Sequence, residues 1–215
     1  MQTREHWNKV YSTRASNAVS WFQEHANVSL ELIRRTGVGA SAAIIDVGGG
    51  ASTLVDDLLA SGHGDLTVLD LSAAALAAAH QRLGAHAAAV QWIEADITTA
   101  DLPASRYDVW HDRAVFHFLV TPEQRAAYIR AVMRAVRPGG HVIVATFAED
   151  GPDKCSGLPV MRYRAEELHA EFGTAFTLTS QQKETHQTPV GAMQQFVYCY
   201  CRLNNGIGTG LPAQP

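Results

Sequence analysis

The stretch AIIDVGGGASTL, from Ala43 to Leu54, constrains the fold of this chain most strongly. A short apolar run, typical of a buried strand, leads into three consecutive glycines and then into a helical pattern. Glycines between a strand and a helix let the backbone approach a ligand closely. The stretch therefore predicts a strand, a ligand-binding turn and a helix in a sheet with parallel strands.

Helical and strand patterns alternate from about Val28 to Phe172, which predicts βαβ units on a mostly parallel sheet. The predicted strands are AAIIDV, DLTVLD, VQWIEAD, RYDVWHD and HVIVATF. The helix before the fifth strand begins at a capping box formed by Thr121 and Gln124. After a last helix, the runs FTLTSQQKE and QQFVYCYC follow each other with no helix between them, which predicts an antiparallel end to the sheet.

Length and composition favour one domain without a membrane or nucleic-acid partner. The chain has 215 residues, of which 47% are hydrophobic, enough for a single core. No run approaches the roughly 18 apolar residues of a membrane span, and we expect no signal peptide. A net charge of -4 does not favour binding to a polyanion such as a nucleic acid. The three cysteines are a sparse set that fits a reducing cytoplasm, and we expect a monomer or homodimer.

Two ligand classes fit the glycine-rich turn: a dinucleotide and S-adenosylmethionine. A dinucleotide fingerprint would have a third glycine where Thr53 stands, so the pattern favours S-adenosylmethionine. Asp46 ends the strand before the turn, where its carboxylate would repel a pyrophosphate and attract the α-ammonium of S-adenosylmethionine. We predict that Gly48 and Gly50 form the part of the turn that contacts this cofactor.

Acidic residues at the ends of the next two predicted strands complete a site for an adenosine group. Asp70 can accept hydrogen bonds from both ribose hydroxyls. Asp96 can accept one from the exocyclic amine of adenine. Leu71 and Ile97 are predicted to lie on either side of the adenine ring.

The motifs DVGGGAS, VLDLS, EADI and RPGGHVIVATF resemble those of the class I S-adenosylmethionine-dependent methyltransferases, over about Trp7 to Arg202. This resemblance implies an α/β fold with a doubly wound, seven-stranded, mostly parallel sheet and an antiparallel last hairpin, the Rossmann-like methyltransferase fold. HWNKVY, SWFQEH and VWHDRAVFHFL are similar to segments of thiopurine S-methyltransferases and their tellurite- and selenite-handling bacterial relatives. The N-terminal pattern also resembles small lysine methyltransferases that modify citrate synthase and elongation factor. Tyr11 stands where the thiopurine pattern has a second tryptophan, and His111 is an extra residue beside Asp112.

The resemblance implies that N-terminal aromatic residues and an Asp-Arg pair surround the cofactor. Trp7, Tyr11 and Trp21 would contribute cation-π attraction of about 0.5 to 2 kcal/mol each to a sulfonium, although ordinary helix packing also explains aromatics at this spacing. We expect residues 1–27 to form a lid, residues 28–203 the methyltransferase domain, and residues 204–215 a flexible tail.

Four further residues, Asp112, Arg113, His111 and His117, have candidate roles in binding or catalysis. Arg113 could bind the cofactor carboxylate, while Asp112 could hold the ammonium or orient Arg113. His111 and His117 are candidate general bases, with a structural role as the alternative for both.

The cysteines carry a separate hypothesis. Cys199 and Cys201 share one strand face and could bind arsenic, selenium or a soft metal together with Cys155, although paired core cysteines are the commoner case. We predict no resident metal.

These features predict an S-adenosylmethionine-dependent methyltransferase that modifies a heteroatom of a small molecule, such as a thiol or selenol. Two alternatives remain open at this point. One is a protein lysine methyltransferase, and the other is a non-catalytic module that binds the cofactor or a partner.

Overall fold

The structure of the chain is a computed structural model that describes residues 4–205. The helices are α1 (Arg4–Thr13), α2 (Asn27–Arg35), α3 (Leu54–Ala60), α4 (Ala73–Leu83), α5 (Pro122–Ala135) and α6 (Ala165–Phe172). The strands are β1 (Ala43–Val47), β2 (Asp65–Asp70), β3 (Val90–Glu94), β4 (Tyr107–Arg113), β5 (Val136–Phe147), β6 (Lys154–Cys155), β7 (Leu158–Pro159), β8 (Phe176–Gln187) and β9 (Met193–Leu203). Short 3-10 turns lie at Ser16–Ala18, Gly84–Ala89, Phe116–Phe118 and Gly173–Ala175.

Seven strands form one sheet in the order β3-β2-β1-β4-β5-β9-β8. The first five are parallel, and β9 is antiparallel to both β5 and β8, which confirms the predicted architecture. The chain builds outward from β1 to β3 and then returns to place β4 on the other side of β1. Open α/β sheets bind ligands outside the carboxyl ends of the strands at such a reversal. The reversal therefore positions a site at the ends of β1 and β4.

Hydrogen bonds at the helix starts account for where two of the helices begin. The Thr121 side chain accepts from the Gln124 backbone N–H, and the Gln124 side chain accepts from the Thr121 N–H, so the predicted capping box is present. The Ser72 hydroxyl accepts from the Ala75 N–H at the start of α4. These caps satisfy backbone donors that a helix start leaves without partners.

The sheet separates two hydrophobic cores, and alternate residues of β9 point into different ones. Val197, Cys199 and Cys201 point to the side covered by α5 and α6, which we call the α5 face. Phe196 and Tyr198 point to the side covered by α1 to α4, which we call the α2 face. Because successive strand residues face opposite ways, neighbours in the sequence have different surroundings.

The N-terminal segment packs on the α2 face. Trp7 and Val10 of α1 are buried there, and the Asn8 side-chain oxygen accepts a hydrogen bond of 2.8 Å from the Ser72 hydroxyl at the start of α4. Most of the predicted tail, residues 206–215, lies outside the described residues, and so do residues 1–3 of the predicted lid. Within residues 4–205, none of the helices has the length and apolar character needed to cross a bilayer.

Candidate active site

A cavity of about 200 Å³ lies at the carboxyl ends of the central strands, beneath the N-terminal segment. It brings together nine of the fourteen predicted site residues: Trp7, Tyr11, Trp21, Gly48, Asp70, Leu71, Asp96, Ile97 and Arg113. A smaller cavity adjoins it at the glycine-rich turn, and Asp46 and His111 line this second space. Gly50, Asp112 and His117 line neither of the two.

The glycine-rich turn needs glycine at two positions because of both its backbone and its neighbours. Gly48 has φ +71°, and a Cβ there would lie 1.9 Å from a methyl carbon of Val115. Gly50 has φ +36°, and a Cβ there would lie 2.5 Å from a carboxylate oxygen of Asp70. Gly48 lines the cavity, and its contact with the cofactor stays a prediction. The role of Gly50 is different from the predicted contact, because this residue leaves room for the Asp70 side chain.

Asp70 ends β2 and is only 8% exposed. One carboxylate oxygen accepts a hydrogen bond of 2.7 Å from the Ser72 N–H. Burial raises the pKa of Asp70 to about 7, the Ser72 N–H opposes this rise, and the nearby charge of Asp46 adds to it. The carboxylate therefore needs further hydrogen-bond donors to be stable as an anion, and ribose hydroxyls are such donors.

The residues after β3 line the same cavity beyond Asp70. One oxygen of Asp96 accepts hydrogen bonds from the N–H of Thr98 at 2.8 Å and from its hydroxyl at 2.7 Å, which fixes the carboxylate. Ile97 is 4% exposed and lines the cavity together with Leu71. The arrangement can accept a flat apolar ring with a polar edge, as an adenine group requires.

Three aromatic side chains from the N-terminal segment cover the cavity. Trp21 packs against Trp7 and Tyr11 edge to face, with ring centroids 5.7 and 6.2 Å apart. The Trp21 indole N–H donates to the Tyr11 hydroxyl at 3.2 Å. Trp7 also packs against Phe118, with centroids 5.2 Å apart. The same rings thus pack against one another and line the cavity, and their contact with a sulfonium stays a prediction.

Arg113 lies between the two cavities, held by contacts on several sides. Its Nε donates to the Tyr198 hydroxyl at 3.1 Å, and its Nη1 donates to the backbone carbonyl of Trp21 at 3.2 Å. Its Nη2 pairs with Glu184 at 3.3 Å, and the guanidinium carbon lies 4.1 Å from the ring centroid of Phe196. The predicted carboxylate-binding residue is therefore fixed in place and reaches the cavity.

The prediction that Asp112 holds an ammonium group or orients Arg113 is wrong. Asp112 is fully buried on the α5 face, where it accepts from the N–H groups of Val115 and Phe116 and from the Tyr128 hydroxyl at 2.6 Å. Because side chains alternate along β4, Asp112 and Arg113 point to opposite faces of the sheet. Asp112 instead stabilises the loop that carries Val115 to the cavity, and burial raises its pKa to about 7.

Asp46 and His111 form a buried pair with a hydrogen bond of 2.7 Å from Nδ1 to the carboxylate. The other ring nitrogen of His111 lies 2.8 Å from the Ser29 hydroxyl, which lies 3.4 Å from the Tyr198 hydroxyl. Both ring nitrogens thus have protein partners, so the geometry does not leave His111 free to take a proton from an acceptor. It positions Asp46 beside the glycine-rich turn.

His117 does not fit the general-base prediction. The residue is fully buried, and its Nδ1 accepts from the Phe147 N–H at 3.3 Å. Burial lowers the pKa of His117 to about 3, and the charge of Arg113 contributes in the same direction. A histidine that binds a proton so weakly and lines neither cavity cannot act as the base at neutral pH.

Several residues of the site carried no local signal in the sequence. Glu184 and Tyr198 come from the antiparallel hairpin, and Ser29 comes from α2. The run QQFVYCYC held a partial signal, because a tyrosine in a fully buried strand needs a hydrogen-bond partner.

The cysteines are free thiols that lie in two places. Cys155 lines the cavity, and burial raises the pKa of its thiol to about 12. Cys199 and Cys201 lie in the core of the α5 face. The predicted site formed by all three is therefore absent from the described residues, because the sheet separates Cys155 from the other two.

Comparisons with known proteins agree with this geometry. Residues 44–140 match the family model described as a methyltransferase domain. The chain is 23% identical over 145 residues to an eEF1A lysine and N-terminal methyltransferase homolog of Drosophila melanogaster, a match that covers 65% of this chain and 21% of that protein. The chain spans about a fifth of the length of the curated relatives it matches.

Two solved structures share the fold across nearly the whole chain. One comes from work on the conversion of a disulfide bond into a thioacetal group during echinomycin biosynthesis, with 18% identity, a TM-score of 0.77 and coverage of 94% of this chain and 92% of that one. The other is a 1,6-didemethyltoxoflavin N1-methyltransferase of Burkholderia thailandensis with bound S-adenosylhomocysteine, with 20% identity, a TM-score of 0.65 and coverage of 93% and 84%. Residues 44–140 are therefore similar to a methyltransferase domain. Across its length the chain shares the Rossmann-like fold of these solved structures.

Proposed function

We propose that this protein transfers the methyl group of S-adenosylmethionine to a heteroatom of a small molecule, with a thiol or selenol as the preferred acceptor. The observation that carries the proposal is a partly enclosed, mostly apolar cavity at whose acceptor end residues 4–205 place no group able to act as a base. We further propose that the protein works in a reducing compartment such as the cytoplasm, because its cysteines are free thiols.

The residues present fit S-adenosylmethionine on three observations. Gly48 lines both cavities and Gly49 lines the smaller one, so a ligand can approach the backbone of the turn there. Asp70 and Asp96 supply acceptors for a ribose and an adenine amine. Arg113 supplies a positive charge next to the turn, where it can bind a carboxylate.

The bound cofactor supplies an electrophilic methyl group on a sulfonium. The chain's own task is to bind, orient and exclude water. Because the sulfonium charge disappears in the transfer, a dry site that holds the nucleophile at attack distance provides most of the acceleration. The aromatic cover of Trp7, Tyr11 and Trp21 excludes water from the cavity.

The acceptor end of the cavity is the part formed by residues that follow β4 and β5: Val115, Phe118, Leu119 and Cys155. Among residues 4–205, the carboxylates that line the cavity are Asp70 at the end of β2 and Asp96 after β3. Both lie on the side proposed for the adenosine group. The raised pKa of Cys155 keeps its thiol protonated at neutral pH. An acceptor must therefore arrive already nucleophilic, and thiolates and selenolates do so.

The relatives support different acceptors. One solved structure comes from work on the conversion of a disulfide bond into a thioacetal group, and the other is a methyltransferase with 1,6-didemethyltoxoflavin bound. These names support a small molecule. The eEF1A methyltransferases support a lysine acceptor as the second candidate. Against a lysine, the acceptor end has no carboxylate to attract its ammonium group.

The test is a measurement of S-adenosylhomocysteine formation with a panel of small thiols and selenols, small amines, and eEF1A. We expect turnover with thiols and selenols. Across a thiol series the rate should follow the thiolate fraction of each acceptor, because the protein supplies no base. The Asp70→Asn variant is the control, and its turnover should fall if the reaction takes place in this cavity.

Other outcomes have a distinct meaning. Turnover of eEF1A alone would replace the small-molecule acceptor with the lysine candidate. Binding of S-adenosylhomocysteine without turnover of any acceptor would favour the non-catalytic alternative. A rate that depends on pH in the same way for thiols of different pKa would contradict the absence of a protein base.

A further inference from the structure

A second cluster of metal-binding side chains lies on the α5 face, away from the cofactor cavity. It consists of Cys199 and Cys201 on β9 and His169 on α6. One ligand atom from each residue lies within 4.8 Å of the other two, and the Cys199 Sγ is 4.0 Å from His169 Nδ1. Cys199 and Cys201 are each 1% exposed, and His169 is half-buried.

We propose that His169, Cys199 and Cys201 bind one Zn²⁺ ion. Tetrahedral zinc has Zn–S bonds of about 2.3 Å and Zn–N bonds of about 2.0 Å, which place two sulfurs ~3.8 Å apart and a sulfur and a nitrogen ~3.6 Å apart. The three ligand atoms therefore need to approach one another by about 1 Å or less to hold the ion. Rotation of side chains is enough for such a change.

The strand and the helix explain why the three residues meet. Residues two apart on a strand point to the same face, so Cys199 and Cys201 both project towards α6. Leu168 and Phe172 anchor α6 in the core of the same face, which directs the intervening His169 towards the two thiols. The cluster therefore rests on packed elements, as a preorganised site requires.

Charge favours zinc over a monovalent ion at this place. Two thiolates and one neutral imidazole carry a charge of -2, so a divalent cation makes the buried group neutral, whereas Cu⁺ leaves one negative charge among apolar side chains. The surroundings are apolar and include Val142 and Val144 of β5. These two residues pair with Cys201 and Cys199 of β9. A water molecule can complete the coordination from the half-exposed side of His169.

The proposed ion would join α6 to β9. Cys155 lies on the opposite face of the sheet, and none of the three proposed ligands lines the cavity, so the ion does not depend on the proposed methyl transfer. Its effect should be on stability, because an ion bound by the folded chain alone raises the free energy of unfolding.

The experiment is a titration of the metal-free, reduced full chain with Co²⁺, followed by displacement with Zn²⁺. We expect one equivalent of Co²⁺ to give thiolate-to-cobalt charge-transfer absorption and tetrahedral visible bands, both of which disappear when Zn²⁺ is added. Zn²⁺ should also raise the melting temperature. Cys199→Ser, Cys201→Ser and His169→Gln should each weaken Zn²⁺ binding by more than about 100-fold.

Cys155→Ser is the matched control and should bind Co²⁺ and Zn²⁺ as the unchanged chain does. His169→Gln decides the matter if a cysteine variant fails to fold, since His169 is less buried than the two cysteines and is not part of the hydrophobic core. The proposal is overturned if the unchanged chain gives no charge-transfer absorption, if the absorption persists in His169→Gln at full affinity, or if only Cu⁺ binds.

Discussion

Replacing Asp70 with asparagine tests the electrostatics of the cofactor cavity. Burial raises the pKa of Asp70 to about 7, whereas an aspartate in an unfolded chain titrates near about 3.9. Between these pH values the folded chain holds one proton more than the unfolded chain. The free energy of unfolding must therefore fall as the pH rises through this window and then level off above pH 7.

The magnitude follows from the width of the window. Each pKa unit corresponds to about 1.4 kcal/mol, so the full shift costs the wild-type chain about 4 kcal/mol between pH 4 and pH 7. Asparagine cannot ionise and can still accept from the Ser72 N–H. We expect Asp70→Asn and wild type to be equally stable near pH 4, and Asp70→Asn to be the more stable above pH 7 by up to about 4 kcal/mol.

Urea denaturation at a series of pH values measures this difference. The control is Asp101→Asn, whose side chain is 84% exposed and whose stability curve should run parallel to that of the wild type. S-adenosylhomocysteine affinity supplies a second measurement, because loss of a charged acceptor should weaken binding about 10- to 100-fold at pH 8. Parallel stability curves for wild type and Asp70→Asn, or unchanged affinity in the folded variant, would refute the reasoning.

Three further predictions concern the turn, the buried ion pair and the lid. Gly50→Ala should lower the free energy of unfolding by more than Gly62→Ala, measured by urea denaturation, because both have positive φ but only position 50 has a carboxylate oxygen 2.5 Å from the new Cβ. Glu184→Ala should cost about 3 to 5 kcal/mol by leaving a buried guanidinium without its carboxylate, while Glu149→Ala at an exposed pair should leave the denaturation midpoint unchanged. In hydrogen exchange, residues 4–22 should gain protection on addition of S-adenosylhomocysteine, and equal protection in both states would contradict a lid.

Local signals in the sequence were sufficient to predict most of the fold. Each parallel strand is a short apolar run bounded by turn residues, and the capping box of Thr121 and Gln124 marks the start of α5 in the sequence and in the structure. The antiparallel end followed from two extended runs without a helix between them. Each of these features depends on residues that are close together in the chain, so a sequence pattern can reveal it.

The site is harder to predict because its contacts join strands that are far apart in the sequence. Alternation along β4 places Asp112 on the opposite face from His111 and Arg113, although the three residues are adjacent in the sequence. The partners that fix Arg113 come from the hairpin, and no local spacing reveals which strand will lie beside β5. Since His111 and His117 are enclosed by such contacts, neither supports a general-base role, and the methyl transfer that we propose depends on an acceptor that brings its own nucleophile.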